Sequence, residues 1–179
     1  EEAAQSVDVV SCGGPLPGHE IRITDDQQQS LADGKVGHIE LRGPSVMLGY
    51  WDDPVTTREV LRDGWLRTGD LGYLKEGQLY VCGRQKDLII IQGRNFYPSD
   101  IEWQAGQVAG VRRGNVVAFG IQDTQLGRER VIVAAEVRDP STSAALQDEV
   151  KSRVLAALSL RVDEVVLLPL GSLPKTSSG

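Results

Sequence analysis

The sequence predicts an α+β chain in two parts, a β-rich first half followed by a small α+β module. Three observations predict it. Short alternating runs, separated by dense Gly and Pro punctuation, fill the first half and leave too few helical stretches to cover its strands. A β-branched run, Leu88-Ile89-Ile90-Ile91, opens the second half. Further on, Leu146, Val150, Val154 and Leu158 recur four residues apart, with Asp148, Glu149, Lys151 and Arg153 between them, as one apolar stripe on an amphipathic helix.

The elements follow in chain order. Glu20 to Thr24 and Gly37 to Arg42 alternate apolar with polar residues, so Ile21 and Ile23, then Ile39 and Leu41, share one face of their strands. Gly13-Gly14-Pro15-Leu16-Pro17-Gly18 and Ala32-Asp33-Gly34 carry turn chemistry, because Gly supplies positive φ and Pro fixes φ. After Tyr50-Trp51-Asp52-Asp53-Pro54, the stretch Val55 to Leu61 predicts a short helix ended by Asp63-Gly64. Trp65 to Tyr73 leads through the tight turn Lys75-Glu76-Gly77 into a strand from Gln78 to Gly83. Trp51, Trp65, Tyr50 and Tyr80 are expected to pack in the core or in turns.

The second half reads differently. Pro98 before Ser99-Asp100-Ile101-Glu102 predicts a helix opened by a capping box, Ser99 accepting from the amide of Glu102, a pairing of about 1 kcal/mol. Asn115 to Ile121 and Arg130 to Val137 predict two strands, the first so continuously apolar that burial on both faces is expected. Val162 to Leu168 closes as a strand. From Asp87 the order is β, α, β, β, α, β, with helices on one face of a sheet. The boundary falls at Arg84 to Asp87. It separates residues 1–85, the tail of a larger N-terminal domain, from residues 86–179, a small C-terminal module.

Composition excludes several function classes. At 40% hydrophobic and 25% charged residues the chain is globular rather than disordered. Its net charge of -6, without a basic stripe, argues against nucleic acid, whose binding rests on Lys and Arg displacing counterions. No apolar run approaches the roughly 20 residues of a membrane span. Cys12 and Cys82 lie far apart, and His19 and His38 have no close Cys or His, so no disulfide framework or metal site is predicted and the reducing cytoplasm is the expected location. The chain opens on Glu-Glu-Ala-Ala without Met and stops at Ser177-Ser178-Gly179, which reads as a fragment. Nucleophile signatures are missing too: there is no Gly-x-Ser-x-Gly elbow, and His19-Glu20 stands where a P-loop after Gly13 and Gly18 requires Lys and Ser or Thr.

What remains is a set of blocks in order: Gly37 to Gly43, then Gly49-Tyr50-Trp51 with Pro54, then Arg67-Thr68-Gly69-Asp70, then Gly83-Arg84-Gln85-Lys86-Asp87, and finally Pro174-Lys175-Thr176-Ser177-Ser178-Gly179. Together they resemble the adenylate-forming superfamily of acyl-CoA synthetases, luciferases and nonribosomal-peptide adenylation domains. Lys86 to Ile91, Gly93-Arg94-Asn95 and Tyr97 to Glu102 are most similar to the fatty acyl-AMP ligases.

The resemblance implies roles residue by residue. Asp70 would accept hydrogen bonds from both ribose hydroxyls of ATP, and Arg84 would donate to the ribose or a phosphate. Lys86 matches the hinge about which the small domain swings, and a hinge requires only a loop that absorbs φ/ψ change. Gly93 and Asn95 match the acyl-transfer loop that approaches a pantetheine arm, although a plain hairpin turn explains them equally well. No catalytic residue falls within the chain, since the family's catalytic Lys follows the position of Gly179. No metal ligand is assigned either. The implied activity is a fatty acyl-AMP ligase that uses ATP and Mg2+ to activate a fatty acid and passes it to a phosphopantetheinylated acyl carrier protein, with the fragment alone expected to be inactive. Arg112-Arg113 and Arg128 to Arg130 are candidates for docking an acidic carrier protein. An acyl-CoA synthetase of the same fold and a noncatalytic docking or regulatory module stand as alternatives.

Overall fold

The computed structural model of the chain describes residues 9–124, 127–139 and 143–174. The backbone divides between Lys86 and Asp87 into two compact units.

The first unit is a five-stranded sheet with one short helix. Strand β1 (Glu20–Thr24) pairs antiparallel with β2 (Gly37–Arg42), setting Ile21 opposite Leu41 and Ile23 opposite Ile39. Ile23 and Ile39 are buried, as the alternation requires. The opposite face is closed by polar groups: buried Glu40 accepts from Arg22 Nε at 2.7 Å and from Thr24 Oγ1 at 3.2 Å. Helix α1 (Pro54–Val60) starts where Asp53 Oδ1 accepts from the Thr56 amide at 3.0 Å and Pro54 occupies the first turn. It stops earlier than expected. Leu61 and Arg62 form a short strand β3, and Asp63-Gly64, both at positive φ, make a hairpin turn into β4 (Trp65–Lys75) instead of ending a helix. Strand β5 (Gln78–Arg84) returns along β4, and a 3-10 turn, Gln85–Asp87, follows it.

The aromatic residues of this unit divide. Tyr80 stacks on Tyr73 with centroids 4.8 Å apart, and Trp65 lies between the guanidinium groups of Arg22 and Arg42, at 4.1 and 4.6 Å. Trp51 contradicts the packing expectation: it is 98% exposed, in the loop ahead of α1. Gly72 shows why β4 needs a residue without Cβ. A Cβ there would collide with the Tyr80 carbonyl oxygen and the Cδ1 atom of Ile39. Gly72→Ala is therefore expected to destabilise the chain by about 1 to 3 kcal/mol, the usual range for forced overpacking. Urea unfolding measures it, and an unchanged midpoint would show that β5 shifts aside freely.

The second unit opens on a hairpin, β6 (Ile89–Ile91) with β7 (Arg94–Phe96). Helix α2 (Pro98–Gly106), strands β8 (Val111–Asp123) and β9 (Arg128–Val137), helix α3 (Ser143–Leu158) and strand β10 (Glu164–Pro169) follow. The sheet order is β10-β9-β8, antiparallel between β8 and β9 and parallel between β9 and β10, with α3 as the crossover. Leu146, Val150 and Val154 of the α3 stripe are buried, in one cluster with Ile89, Ile101 and Val133.

Two local expectations fail here. The capping box does not form, because Tyr97 is the N-cap and supplies no side-chain cap bond, while Pro98 already fills the first helical turn. Glu102 turns toward the sheet and accepts from the Ala118 amide at 3.0 Å, and burial pushes its carboxyl above the usual range. Strand β8 is not buried on both faces either. Val117, Phe119 and Ile121 are exposed at 41%, 38% and 49%, while the alternating Val116 and Ala118 are buried, because the helices pack on one side of the sheet. Among the described residues no helix is long and apolar enough to cross a membrane.

Candidate functional site

The Thr-Gly-Asp segment is built as a bulge. Along the β2–β4 ladder His38 pairs with Leu71 and Glu40 with Arg67, so the single residue Ile39 faces Thr68, Gly69 and Asp70 together. Gly69 takes φ +81, open to Gly at no steric cost. The Thr68 hydroxyl fixes the bulge at both ends. It donates to the Ile39 carbonyl at 3.0 Å and accepts from the Asp70 amide at 3.0 Å. Thr68 is a positioning residue that sequence reasoning did not single out, although its signal lay in the Thr-Gly-Asp triplet.

This bulge directs Asp70 toward the neighbouring strand. Asp70 and Arg84 are register partners on β4 and β5, and Arg84 Nε donates to Asp70 Oδ1 at 3.1 Å. Both side chains remain accessible, Asp70 at 30% and Arg84 at 57%. Beside them an open depression of about 460 Å3 is lined by Thr68, Gly69, Arg84, Gln85 and Lys86. Its size falls in the range of small-molecule sites. An acceptor-only carboxylate next to a five-donor guanidinium can receive sugar hydroxyls on one side and hold an anionic group on the other. An ion pair this exposed adds little to stability, about 1 kcal/mol or less, so its two groups are available to a ligand at small cost.

The other predicted residues lie elsewhere along the chain. Lys86 is exposed in the 3-10 turn at the division between the two units. Gly93 and Asn95 belong to the β6–β7 hairpin of the second unit. Gln92 at φ 52 and Gly93 at φ 75 form its two-residue turn, the left-handed pair such a tight hairpin requires, and Asn95 pairs with Ile90 while its side chain stays exposed. The arginines proposed for docking are mostly occupied. Arg112 pairs with Glu136 at 3.0 Å, Arg130 with Glu164 at 3.0 Å, and Arg128 with Asp163 at 2.6 Å. The Arg128 guanidinium holds the Asp163 carboxyl below its ordinary range. Among the described residues no group of three or more His, Cys, Asp or Glu gathers to hold a metal ion. Of the terminal block only Pro174 is described; Lys175 to Gly179, and the position after them, lie outside the described residues.

Comparison with known proteins adds a family to this geometry. Residues 2–51 match the model of the AMP-binding enzymes. A putative acyl-CoA synthetase of Caulobacter vibrioides is 39% identical over 100% of this chain and 32% of its own length. A long-chain-fatty-acid–AMP ligase of Mycobacterium marinum is 33% identical over 99% of the chain and 33% of its own, and a medium-chain-fatty-acid–[acyl-carrier-protein] ligase of Moorena producens is 36% identical over 96% and 31%. Among solved structures, one from a study of fatty acyl-adenylate ligases of E. coli and L. pneumophila superposes with a TM-score of 0.83 at 40% identity, covering 100% of this chain and 32% of that one. The chain thus spans about a third of the length of the curated relatives it matches.

Proposed function

Since the chain belongs to the AMP-binding, adenylate-forming enzymes as a segment about a third of their length, we propose that it is the C-terminal portion of a fatty acyl-AMP ligase. The complete enzyme joins a fatty acid carboxylate to the α-phosphorus of ATP, releasing pyrophosphate. It then passes the acyl group from the adenylate to the phosphopantetheine thiol of an acyl carrier protein. The observation that carries this reading is the Asp70–Arg84 pair, presented side by side from adjacent strands by the Thr68–Asp70 bulge.

In this reading Asp70 accepts from the two ribose hydroxyls and Arg84 donates to the ribose or a phosphate. Each such charge-assisted bond contributes about 1.5 to 3 kcal/mol in a site closed to water. Lys86 is the pivot, where an exposed turn absorbs the backbone rotation of a domain swing. Gly93 and Asn95 present the hairpin that approaches the pantetheine arm. Mg2+ neutralises phosphate charge when bound, and its ligands belong to the remaining two thirds of the enzyme, as does the acyl pocket. With those groups in the remaining two thirds of the enzyme, the segment alone is expected to be inactive, and the cytoplasm is its expected setting.

A second reading is an acyl-CoA synthetase, favoured by the name of the Caulobacter relative. Pyrophosphate release by the complete protein, with ATP and a series of fatty acids, tests both. Substrate-dependent release is expected; its absence would favour a noncatalytic docking module. Offering the preformed acyl-adenylate either CoA or a phosphopantetheinylated carrier protein then separates the two acceptors, and transfer to CoA alone would overturn the carrier assignment.

A further inference from the structure

Gly120 stands inside β8, in regular register with Val131 of β9, where no turn accounts for it. A glycine within a strand weakens the strand and marks a place where another group comes close. Here that group is Glu129. A Cβ at Gly120 would collide with the Glu129 carboxylate, which lies across the bare backbone. Along β9, Glu129 alternates with Val131 and Val133, both fully buried, so it faces the side of the sheet that packs against Ile89 and Phe96 of the β6–β7 hairpin. Its Oε2 atom accepts from the Ile90 amide at 2.9 Å. The geometry of the hairpin makes that amide available. Ile91 and Arg94 flank the two-residue turn, and hydrogen-bonded and open pairs alternate along an antiparallel ladder, so the next pair, Ile90 and Asn95, leaves the Ile90 N–H pointing away from β7.

We propose that Glu129 is a positioning residue for acyl transfer: it reaches over Gly120, holds the Ile90 amide and so fixes the direction in which the hairpin presents Gly93 and Asn95. This rests on the acyl-AMP ligase reading, in which that hairpin approaches the pantetheine arm. Two strands of three residues are marginal by themselves, so the direction of the hairpin depends on its anchors. Ile89 and Phe96 hold its base in the core, but apolar contact is non-directional and leaves the hairpin free to tilt. On β7, Arg94 Nη2 donates to the Leu158 carbonyl at 3.4 Å, longer than a well-formed hydrogen bond. The Glu129 bond is shorter and charge-assisted, and it acts directly opposite Asn95. Glu129 touches no substrate, and its effect is on aim.

The test uses the complete enzyme with Glu129→Ala, which removes the bond, Glu129→Gln, which keeps a carbonyl acceptor at the same reach, and Gly120→Ala, which pushes the carboxylate off its path and carries the test by itself if Glu129→Ala does not fold. Amide hydrogen exchange at Ile90, fatty-acid-dependent pyrophosphate release, and acyl transfer from preformed acyl-adenylate to whichever acceptor the wild-type enzyme uses are measured for each. The expected result for Glu129→Ala and Gly120→Ala is faster exchange at Ile90 and acyl transfer slowed about 10- to 100-fold, the cost of ångström-scale misplacement. Pyrophosphate release should stay near wild type, and Glu129→Gln should recover most of the transfer rate. In the double variant Gly120→Ala should add nothing to Glu129→Ala, because both act through one contact. Unchanged exchange at Ile90, an equal fall in both half-reactions, or full additivity of the two substitutions would overturn the proposal. If the wild-type enzyme releases no pyrophosphate, the ligase reading fails and the positioning role fails with it, whereas an active enzyme whose acyl transfer is untouched by these substitutions loses the positioning role alone.

Discussion

Asp70→Ala in the complete enzyme is expected to lower kcat/KM for ATP by about 10^2- to 10^4-fold, the kinetic equivalent of losing two charge-assisted hydrogen bonds of about 1.5 to 3 kcal/mol each. The fold should hardly register the change. Thr68 anchors the bulge through the Asp70 backbone amide, which alanine retains, and the lost ion pair is with a half-exposed Arg84. Its contribution to stability is about 1 kcal/mol or less. Steady-state kinetics with varied ATP, alongside urea unfolding, separates the two effects. Near-normal ATP kinetics in a folded variant would defeat the nucleotide assignment, and Arg84 would go with it. Thr68→Val offers an independent approach: it removes the hydroxyl that bonds both the Ile39 carbonyl and the Asp70 amide, so ATP use should fall even though the carboxylate is present.

Core substitutions in the second unit give the largest expected loss of stability. Ile101→Ala removes a fully buried side chain from α2 and should cost about 2 to 5 kcal/mol, a cavity-forming change in a domain whose total stability is about 5 to 15 kcal/mol. The same substitution at Ile121, 49% exposed on the outer face of β8, should cost about 1 kcal/mol or less. The pair is informative because the residue type is held constant. Equal costs at both positions would mean that β8 is shifted by one residue, since a one-residue slip exchanges its two faces. Urea unfolding of both variants against the parent chain supplies the comparison.

Much of the fold was legible in the chain. The α3 stripe at Leu146, Val150 and Val154, the alternating Ile23 and Ile39, and the turn at Gly93 are local patterns, and each depends on residues a few positions apart. Their physics is local as well: side-chain period and permitted φ. Beyond that range local pattern does not specify the contact a side chain makes. The spacing of Glu102 from Ser99 predicts a helix cap, yet Glu102 bonds Ala118, sixteen positions along, because Pro98 and Tyr97 already define the helix start. The apolar content of β8 reads as two buried faces, and only the one-sided placement of the helices leaves Val117, Phe119 and Ile121 in solvent.

The sequence by itself determined the local patterns, the α3 stripe and the alternating strands of the first half, and through the resemblance it pointed to Asp70 and Arg84 as candidates for nucleotide binding. Tertiary structure alone decided that Ile39 stands opposite three residues rather than one, that Asp70 therefore meets Arg84 at 3.1 Å, and that buried Glu136 accepts from the Leu173 amide. The physical reason is range. Helical period and turn chemistry act over a few bonds, whereas a bulge, a register and a buried carboxylate exist only once strands far apart in the chain have closed on each other, and no local preference specifies which residue will then face which.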